Sequence, residues 1–182
     1  MTVDQYLAFD RSSALRNEYF KGEVFAMTGA SRHHNLISLH LGGELDRQLS
    51  DRDCEVYTSE MRVKVADTGL YTYPDIVVVC GEPIFIDAEV DTLTNPTVIV
   101  EILSKSTEAD DRRAKFELYR ALGSLEQVLF IAQDKVHIES YIRQPDQTWL
   151  FSETKDLGGS VALPSISCTV GVAGVYRKVR FD

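Results

Sequence analysis

The sequence predicts an α+β fold in which a mixed β-sheet is flanked by helices, and three features support this prediction. Short apolar runs rich in β-branched residues, at 76–79 and 98–103, are typical of buried strands. Longer segments at about 33–49 and 108–122 carry apolar residues at helical spacing. The order of helix, several strands, helix and strand along the chain is an α+β layout.

The N-terminal third of the chain contains a short helix, a hairpin and a long helix. Thr2 is a suitable N-cap for a helix that begins at Val3. Residues 17–27, interrupted by Lys21-Gly22, are predicted to form an added N-terminal β-hairpin. A helix is expected from about His33 to Leu49, with one apolar face made of Ile37, Leu41 and Leu45.

Strands dominate the rest of the chain, around one further long helix. Besides the two buried runs, strands are expected at 55–58, 61–65, 128–132, 136–142, 149–151 and 161–163. The helix from about Glu108 should end at Gly123, and residues 171–180 are predicted to form a terminal helix. The 182 residues contain no repeat or linker, and residues 1–182 are therefore expected to form a single domain.

Each of the two buried strands carries one carboxylate. Asp75 follows Pro74 at the start of the first strand, and Glu101 lies inside the second. With a period of two, Glu101 shares a face with Ile99 and Leu103, where an ionised group is costly unless it is paired or binds a cation. Two such acids on neighbouring strands predict a site for Mg²⁺ or Mn²⁺. The alternative is that Asp75 caps a turn and Glu101 pairs with a structural Lys or Arg.

Lys115 is predicted to approach Glu101 from the second long helix. The strand leads out of the sheet and the helix returns over it, so that about 12 Å of helix brings Lys115 level with Glu101. An amine beside a metal-bound carboxylate can orient water or neutralise charge on a phosphate. The alternative is a surface ion pair between Lys115 and Asp111, one helical turn away.

These residues together resemble a known bacterial family. The chain reads Tyr-Pro-Asp-Ile-Val-Val-Val at 73–79 and Val-Glu-Ile-Leu-Ser-Lys-Ser-Thr at 100–107, followed by Asp111, Lys115 and Tyr119. This pattern is similar to that of the putative restriction-endonuclease domain proteins, which have the PD-(D/E)XK nuclease fold. The similarity runs from about Arg16 to Val179.

The resemblance implies roles for individual residues. Pro74-Asp75 correspond to the PD of the motif and Glu101 to its (D/E), while Leu103 occupies the usual place of the Lys. The resemblance implies that this Lys has moved to Lys115 on the helix. Lys105, at the same strand parity as Glu101, is a second candidate.

His34 is a candidate for contacting a phosphate or water, because the family has a His at the start of this helix. The alternative is a structural His that donates to a carbonyl.

The net charge of −9 argues against a tight, non-specific DNA-binding protein. Basic residues nevertheless gather before the first long helix and around the second: Arg32, His33, His34, Lys105, Arg112, Arg113 and Lys115. We expect them to form a positive rim around an acidic pocket, with Lys105 and Arg112 binding DNA weakly. A homodimer is plausible for an enzyme that cuts two strands.

The remaining features of the sequence concern the cellular compartment of the protein. Three widely spaced cysteines, Cys54, Cys80 and Cys168, suit neither a disulfide framework nor a metal site and indicate small core residues in a reducing cytoplasm. The sequence contains no apolar run of membrane-spanning length and no signal peptide, so a cytoplasmic location and no membrane partner are expected.

Three functions remain open at the level of sequence. The first is a Mg²⁺- or Mn²⁺-dependent DNA endonuclease that uses Asp75, Glu101 and Lys115. The second is a non-catalytic interaction module on a nuclease scaffold, favoured by the acidic net charge and by Leu103. The third is a metal-dependent hydrolase of small phosphoesters.

Overall fold

The computed structural model describes residues 1–27, 29–65, 68–104 and 108–181. Its helices are α1 (Val3–Ser12), α2 (Arg32–Leu49), α3 (Glu108–Tyr119) and α4 (Val172–Val175). Its strands are β1 (Asn17–Phe20), β2 (Glu23–Ala26), β3 (Cys54–Thr58), β4 (Arg62–Val65), β5 (Leu70–Thr72), β6 (Ile76–Cys80), β7 (Thr92–Leu93), β8 (Val98–Leu103), β9 (Gln127–Ala132), β10 (Ile138–Arg143), β11 (Trp149–Thr154), β12 (Ser160–Leu163) and β13 (Cys168–Gly171). The predicted α+β class is confirmed.

A mixed sheet with the strand order β11-β10-β9-β8-β6-β3 forms the centre of the molecule. Strands β8 and β9 are parallel, and the other neighbouring strands are antiparallel. Side chains of β6 alternate between the two faces of the sheet, as expected for a β-strand. Ile76 and Val78 pack with α2, whereas Val77 and Val79 belong to the core on the side of α3. The apolar face of α2 is formed by the three residues predicted from its periodicity, Ile37, Leu41 and Leu45, all fully buried.

A second sheet, with the order β2-β1-β5-β4-β7, contains the predicted N-terminal hairpin. Val63, Val65 and Leu70 of this sheet pack in the same core as Ile99 and Tyr119. The side of the central sheet that carries α3 is therefore also covered by the hairpin sheet.

A buried polar cluster fixes α1 to this second sheet. Arg62 is 2% exposed, and its Nη2 lies 2.6 Å from Oδ2 of the fully buried Asp10. The hydroxyl of Tyr73 donates to the same Asp10 oxygen. Because Tyr73 is two residues before Asp75, this cluster anchors the chain that enters β6.

Two sequence predictions were wrong at the level of elements. The terminal helix predicted for 171–180 is confined to Val172–Val175, because Gly171 belongs to β13 and the backbone leaves helical geometry at Tyr176 and adopts a positive φ of 63° at Lys178. Cys54 and Cys80 form a disulfide rather than remaining unpaired core residues. They lie directly opposite each other in the antiparallel register of β3 and β6, so the cysteines no longer support a reducing compartment.

Candidate active site

Asp75 and Glu101 are brought opposite each other by the pairing of β6 with β8. The last antiparallel pair is Ile76 with Val100, and one step further along the same register places Asp75 opposite Glu101. Both residues are buried, with 7% and 4% of their surface exposed. Oδ2 of Asp75 accepts a hydrogen bond of 2.7 Å from the backbone N–H of Ile102. The predicted proximity of the two acids on one face of the sheet is therefore present in the structure.

His34 reaches Asp75 from the first turn of α2. Ser31 caps this helix, and its hydroxyl accepts a hydrogen bond of 3.1 Å from the N–H of His34. The imidazole Nε2 of His34 lies 2.8 Å from Oδ1 of Asp75. Burial lowers the pKa of His34, but the hydrogen bond and the charge of Asp75 outweigh burial, and the pKa is raised overall. His34 is therefore held against an acidic side chain.

Lys115 and Tyr119 contact Glu101 from one face of α3. Nζ of Lys115 lies 3.0 Å from Oε2 of Glu101, as the length of the returning helix predicted. One turn further on, the hydroxyl of the fully buried Tyr119 donates to Oε1. The alternative in which Lys115 pairs with Asp111 does not account for this contact. The side chain of Asp111 lies outside the described part of the chain.

The buried charges alter the pKa of both partners. Burial, together with the charge of Asp75, outweighs the lowering effect of Lys115 and raises the pKa of Glu101 to about 7. Burial lowers the pKa of Lys115, but Glu101 and Glu18 outweigh this effect and raise its pKa overall. Lys115 is therefore an ammonium group at neutral pH, beside a carboxyl group that titrates near neutrality.

These side chains line a cleft of about 1170 Å³. Asp75, Glu101 and Lys115 lie in its wall together with His34. Its other walls come from the loop after α1, the loop before α2, the turn between β3 and β4, and the segment after β9, including Arg16, Met27, Arg32, Glu60, Gln133 and Asp134. The cleft thus places four acidic residues, Asp75 and Glu101 among them, and several basic groups around a space that is open to a ligand.

Lys105 and Arg112 are the two other residues that were predicted to bind DNA. Lys105 lies outside the described residues. Arg112 was predicted to border the cleft, but within the described part of the chain it is not in the cleft lining. Its Nη1 lies 2.6 Å from Oε1 of Glu139 on β10, two strands away from Glu101. The physical reason is that α3 crosses the sheet, so residue 112 lies over a different strand from residue 115.

Sequence reasoning missed Arg16 and the residues after β9. Arg16 pairs with Glu60 at 2.6 Å, and the backbone carbonyl of Gln133 lies 3.1 Å from Nδ1 of His33. These contacts join residues 44 and 100 positions apart. Spacing along the chain carries no signal for them.

A second group with metal-binding atoms lies outside the cleft. The ligand atoms of His137, Glu139 and Glu153 are within 4.8 Å of one another. Arg112 already pairs with Glu139, and Lys155 Nζ lies 3.0 Å from Glu153. Arg112 and Lys155 therefore pair with this group outside the cleft.

The donor set in the cleft fits a hard divalent cation. Mg²⁺ is commonly bound through one or two carboxylates, with water and substrate oxygens completing the coordination. Asp75 and Glu101 offer such a pair. Within the described residues, the hydrogen bonds and ion pairs to their oxygens come from His34, Ile102, Lys115 and Tyr119, and a carboxylate oxygen has two lone pairs with which to accept such contacts or bind a cation.

Comparison with known proteins gives a consistent result. The model of the Uma2 family, described as "Putative restriction endonuclease", matches residues 3–171. Two proteins of Synechocystis sp., both named as uncharacterised, are 34% and 32% identical to the chain. The alignments cover 84% and 100% of this chain and 86% and 94% of those proteins.

A solved structure has the same fold. It is the crystal structure of "a putative nuclease belonging to DUF820" from Anabaena variabilis. It superposes with a TM-score of 0.77 over 97% of both chains, at 17% sequence identity. The restriction-endonuclease-like fold predicted from the sequence is thereby confirmed.

Proposed function

Since this chain belongs to the Uma2 family of putative restriction endonucleases, we propose that it is a metal-dependent DNA endonuclease that hydrolyses phosphodiester bonds in the cleft. The observation that carries the proposal is the pair Asp75 and Glu101, buried and opposite each other, with Lys115 on Glu101. We propose Mg²⁺ or Mn²⁺ as the cofactor, held by these two carboxylates.

The residues of the chain have distinct roles in this proposal. A bound divalent cation supplies Lewis-acid polarisation of a phosphate oxygen and a lowered pKa for water. Asp75 and Glu101 hold the ion, and the ammonium of Lys115 stabilises the negative charge that grows on the phosphate. His34, whose Nε2 is held by Asp75, can donate a second hydrogen bond to a phosphate oxygen or to water in its imidazolium form, which its raised pKa favours.

Cleavage of supercoiled plasmid DNA tests this proposal. The wild type should nick the plasmid with Mg²⁺ or Mn²⁺ and should be inactive with EDTA. Glu101→Gln should lower the rate by about a hundredfold or more, because a metal ion contributes several kcal/mol to the transition state.

Glu139→Gln is the matched control for this experiment. Glu139 is also a buried acid of the central sheet, but it pairs with Arg112 away from the cleft. Equal loss of activity in both variants would contradict a specific role for Glu101.

A non-catalytic interaction module on the same scaffold is the second candidate. The net charge of −9 and Leu103 in the usual place of the Lys favour it. A folded wild type that leaves plasmid intact with both cations, and that does not bind DNA, would support this function instead.

A further inference from the structure

Lys115 lies between two carboxylates, and the proposed mechanism uses one of them. Its Nζ is 3.0 Å from Oε2 of Glu101 and 3.9 Å from Oε1 of Glu18. Glu18 belongs to β1 of the hairpin sheet, whereas Glu101 belongs to the central sheet. The amine of Lys115 thus connects the two sheets of the molecule.

Glu18 is itself held in place by its cross-strand neighbour. The antiparallel register of β1 and β5 pairs Tyr19 with Tyr71, and its next step places Glu18 beside Thr72. The hydroxyl of Thr72, a residue that is 1% exposed, donates to Oε1 of Glu18. The side chain of Glu18 is 25% exposed and therefore reaches the amine from a partly shielded position.

The cation-binding atoms of the cleft do not include Glu18. Within the described residues, the lining contains Asp75, Glu101 and Lys115 but lacks Glu18, which contacts the amine of Lys115. A carboxylate in this position attracts the ammonium without competing for a metal ion in the cleft.

We infer that Glu18 is a positioning residue that holds the amine of Lys115 at Glu101, and through it sets the catalytic rate; the inference rests on the proposed nuclease function. Without the charge of Glu18, the four-carbon side chain of Lys115 loses one of its two ion pairs within the described residues and samples more orientations. A misplaced catalytic group costs rate because the reacting geometry must be held closely.

Glu18→Gln separates charge from shape. Gln keeps the length of the side chain and an oxygen that accepts the hydrogen bond of Thr72, but it removes the attraction for the ammonium. Glu23→Gln is the matched control, because Glu23 is an exposed acid on the adjacent strand β2. Both variants change the net charge of the same hairpin by one unit.

The first measurement needs no activity. The rate at which an amine-reactive reagent labels Lys115, quantified by mass spectrometry, should rise several-fold in Glu18→Gln and stay unchanged in Glu23→Gln. An unchanged labelling rate in Glu18→Gln would overturn the inference, whether or not the wild type cleaves DNA.

The second measurement is a double-mutant cycle on plasmid cleavage. Glu18→Gln should lower kcat by about tenfold to a hundredfold, with Mn²⁺ affinity by calorimetry and KM for DNA changed little. In a Lys115→Ala background the same substitution should have no further effect, because the group that it positions is gone. Additive losses of rate in the double variant would show that Glu18 acts independently of Lys115 and would overturn the inference.

Discussion

At the scale of single residues, the contacts in the cleft compensate the free-energy cost of burying two carboxylates. Glu101 is surrounded by core residues of β8 and compensated by donors from α3, namely Lys115 and Tyr119. Asp75 is compensated by a backbone N–H and by His34 from the opposite face of the sheet. Each buried acid is therefore stabilised by partners that are distant from it in the sequence. A bound cation would add a further compensating charge.

The raised pKa of Glu101 predicts that cation affinity depends on pH. Because burial raises this pKa to about 7, the carboxyl group is protonated below pH 7 and must lose its proton to bind a cation. Affinity for Mn²⁺, measured by calorimetry, should fall by up to about tenfold per pH unit below 7 and level off above it. Protonation of His34 beside Asp75 acts in the same direction.

The control for this prediction is Glu139→Gln, which should keep the wild-type pH profile. An affinity that stays constant between pH 6 and pH 8 would contradict a role for Glu101 as a ligand.

At the scale of elements, α1 and the hairpin sheet are fixed by Arg62. Its guanidinium contacts Asp10, Asp91 and Thr92, and its charge lies 5.7 Å from the ring centre of Tyr6. A charge at this depth is tolerated because its donors are paired.

Replacing Arg62 by Ala should destabilise the protein by about 3–5 kcal/mol, because Asp10 would remain buried without its ion partner. Urea denaturation followed by circular dichroism measures this loss. Arg47→Ala, at an exposed ion pair on α2, should leave the unfolding midpoint unchanged.

The same cluster predicts acid sensitivity. Burial raises the pKa of Asp10, but hydrogen bonds from Tyr73, Arg62 and Asn17 outweigh it and lower the pKa overall. The resulting stabilisation is complete above the unfolded-state pKa of about 4 and is lost as the pH falls through the lower folded-state value. This acid-dependent loss of unfolding free energy should be smaller in Asp10→Asn than in the wild type.

The disulfide between β3 and β6 is a second link between elements. It closes a loop with a sequence separation of 26 residues, so that reduction should lower the free energy of unfolding by about 3 kcal/mol. Urea denaturation with and without a reductant measures the difference. It should persist in Cys168→Ala, whose thiol is free, and vanish in Cys54→Ala.

At the scale of the whole molecule, the acidic net charge is unevenly distributed. Asp87 and Asp91 pair with Arg11, and neither residue belongs to the cleft lining within the described part of the chain. The cleft gathers Arg16, Arg32, His33, His34 and Lys115 around the acids Glu60, Asp75, Glu101 and Asp134. Four of the seven residues predicted for the basic rim line the cleft, namely Arg32, His33, His34 and Lys115, and Arg16 is added to them. Lys105 lies outside the described residues, Arg112 is directed to Glu139, and Arg113 is exposed on α3 and absent from the lining within the described residues. No helix within the described residues is both long and apolar enough to cross a membrane.

This distribution predicts weak, salt-dependent DNA binding. With Ca²⁺ in place of a catalytic metal, the logarithm of the binding constant should fall with the logarithm of salt concentration with a slope of about −2 to −4, for a few neutralised phosphates. Arg32→Glu, in the cleft wall, should weaken binding. Arg113→Glu, an equal change of charge at an exposed position of α3, should not. Absence of binding at low salt would favour the interaction module.

The sequence by itself determined the features that depend on local periodicity. Alternation along 98–103 placed Glu101 on the face of Ile99 and Leu103, and helical spacing brought Lys115 level with it. Element bounds near the site were also predicted within a few residues. Tertiary structure alone decided the partners across the sheet and between layers.

The contacts that sequence analysis missed depend on strand register and helix crossing angle. Register paired Cys54 with Cys80 and Glu18 with Thr72, and the path of α3 over the sheet directed Arg112 to Glu139. A one-residue slip or a small rotation would exchange these partners while leaving every local period unchanged. Strand register and helix crossing angle are fixed only by the packing of the two sheets and α3 in one core. The periodicity of the sequence contains no information on either of them.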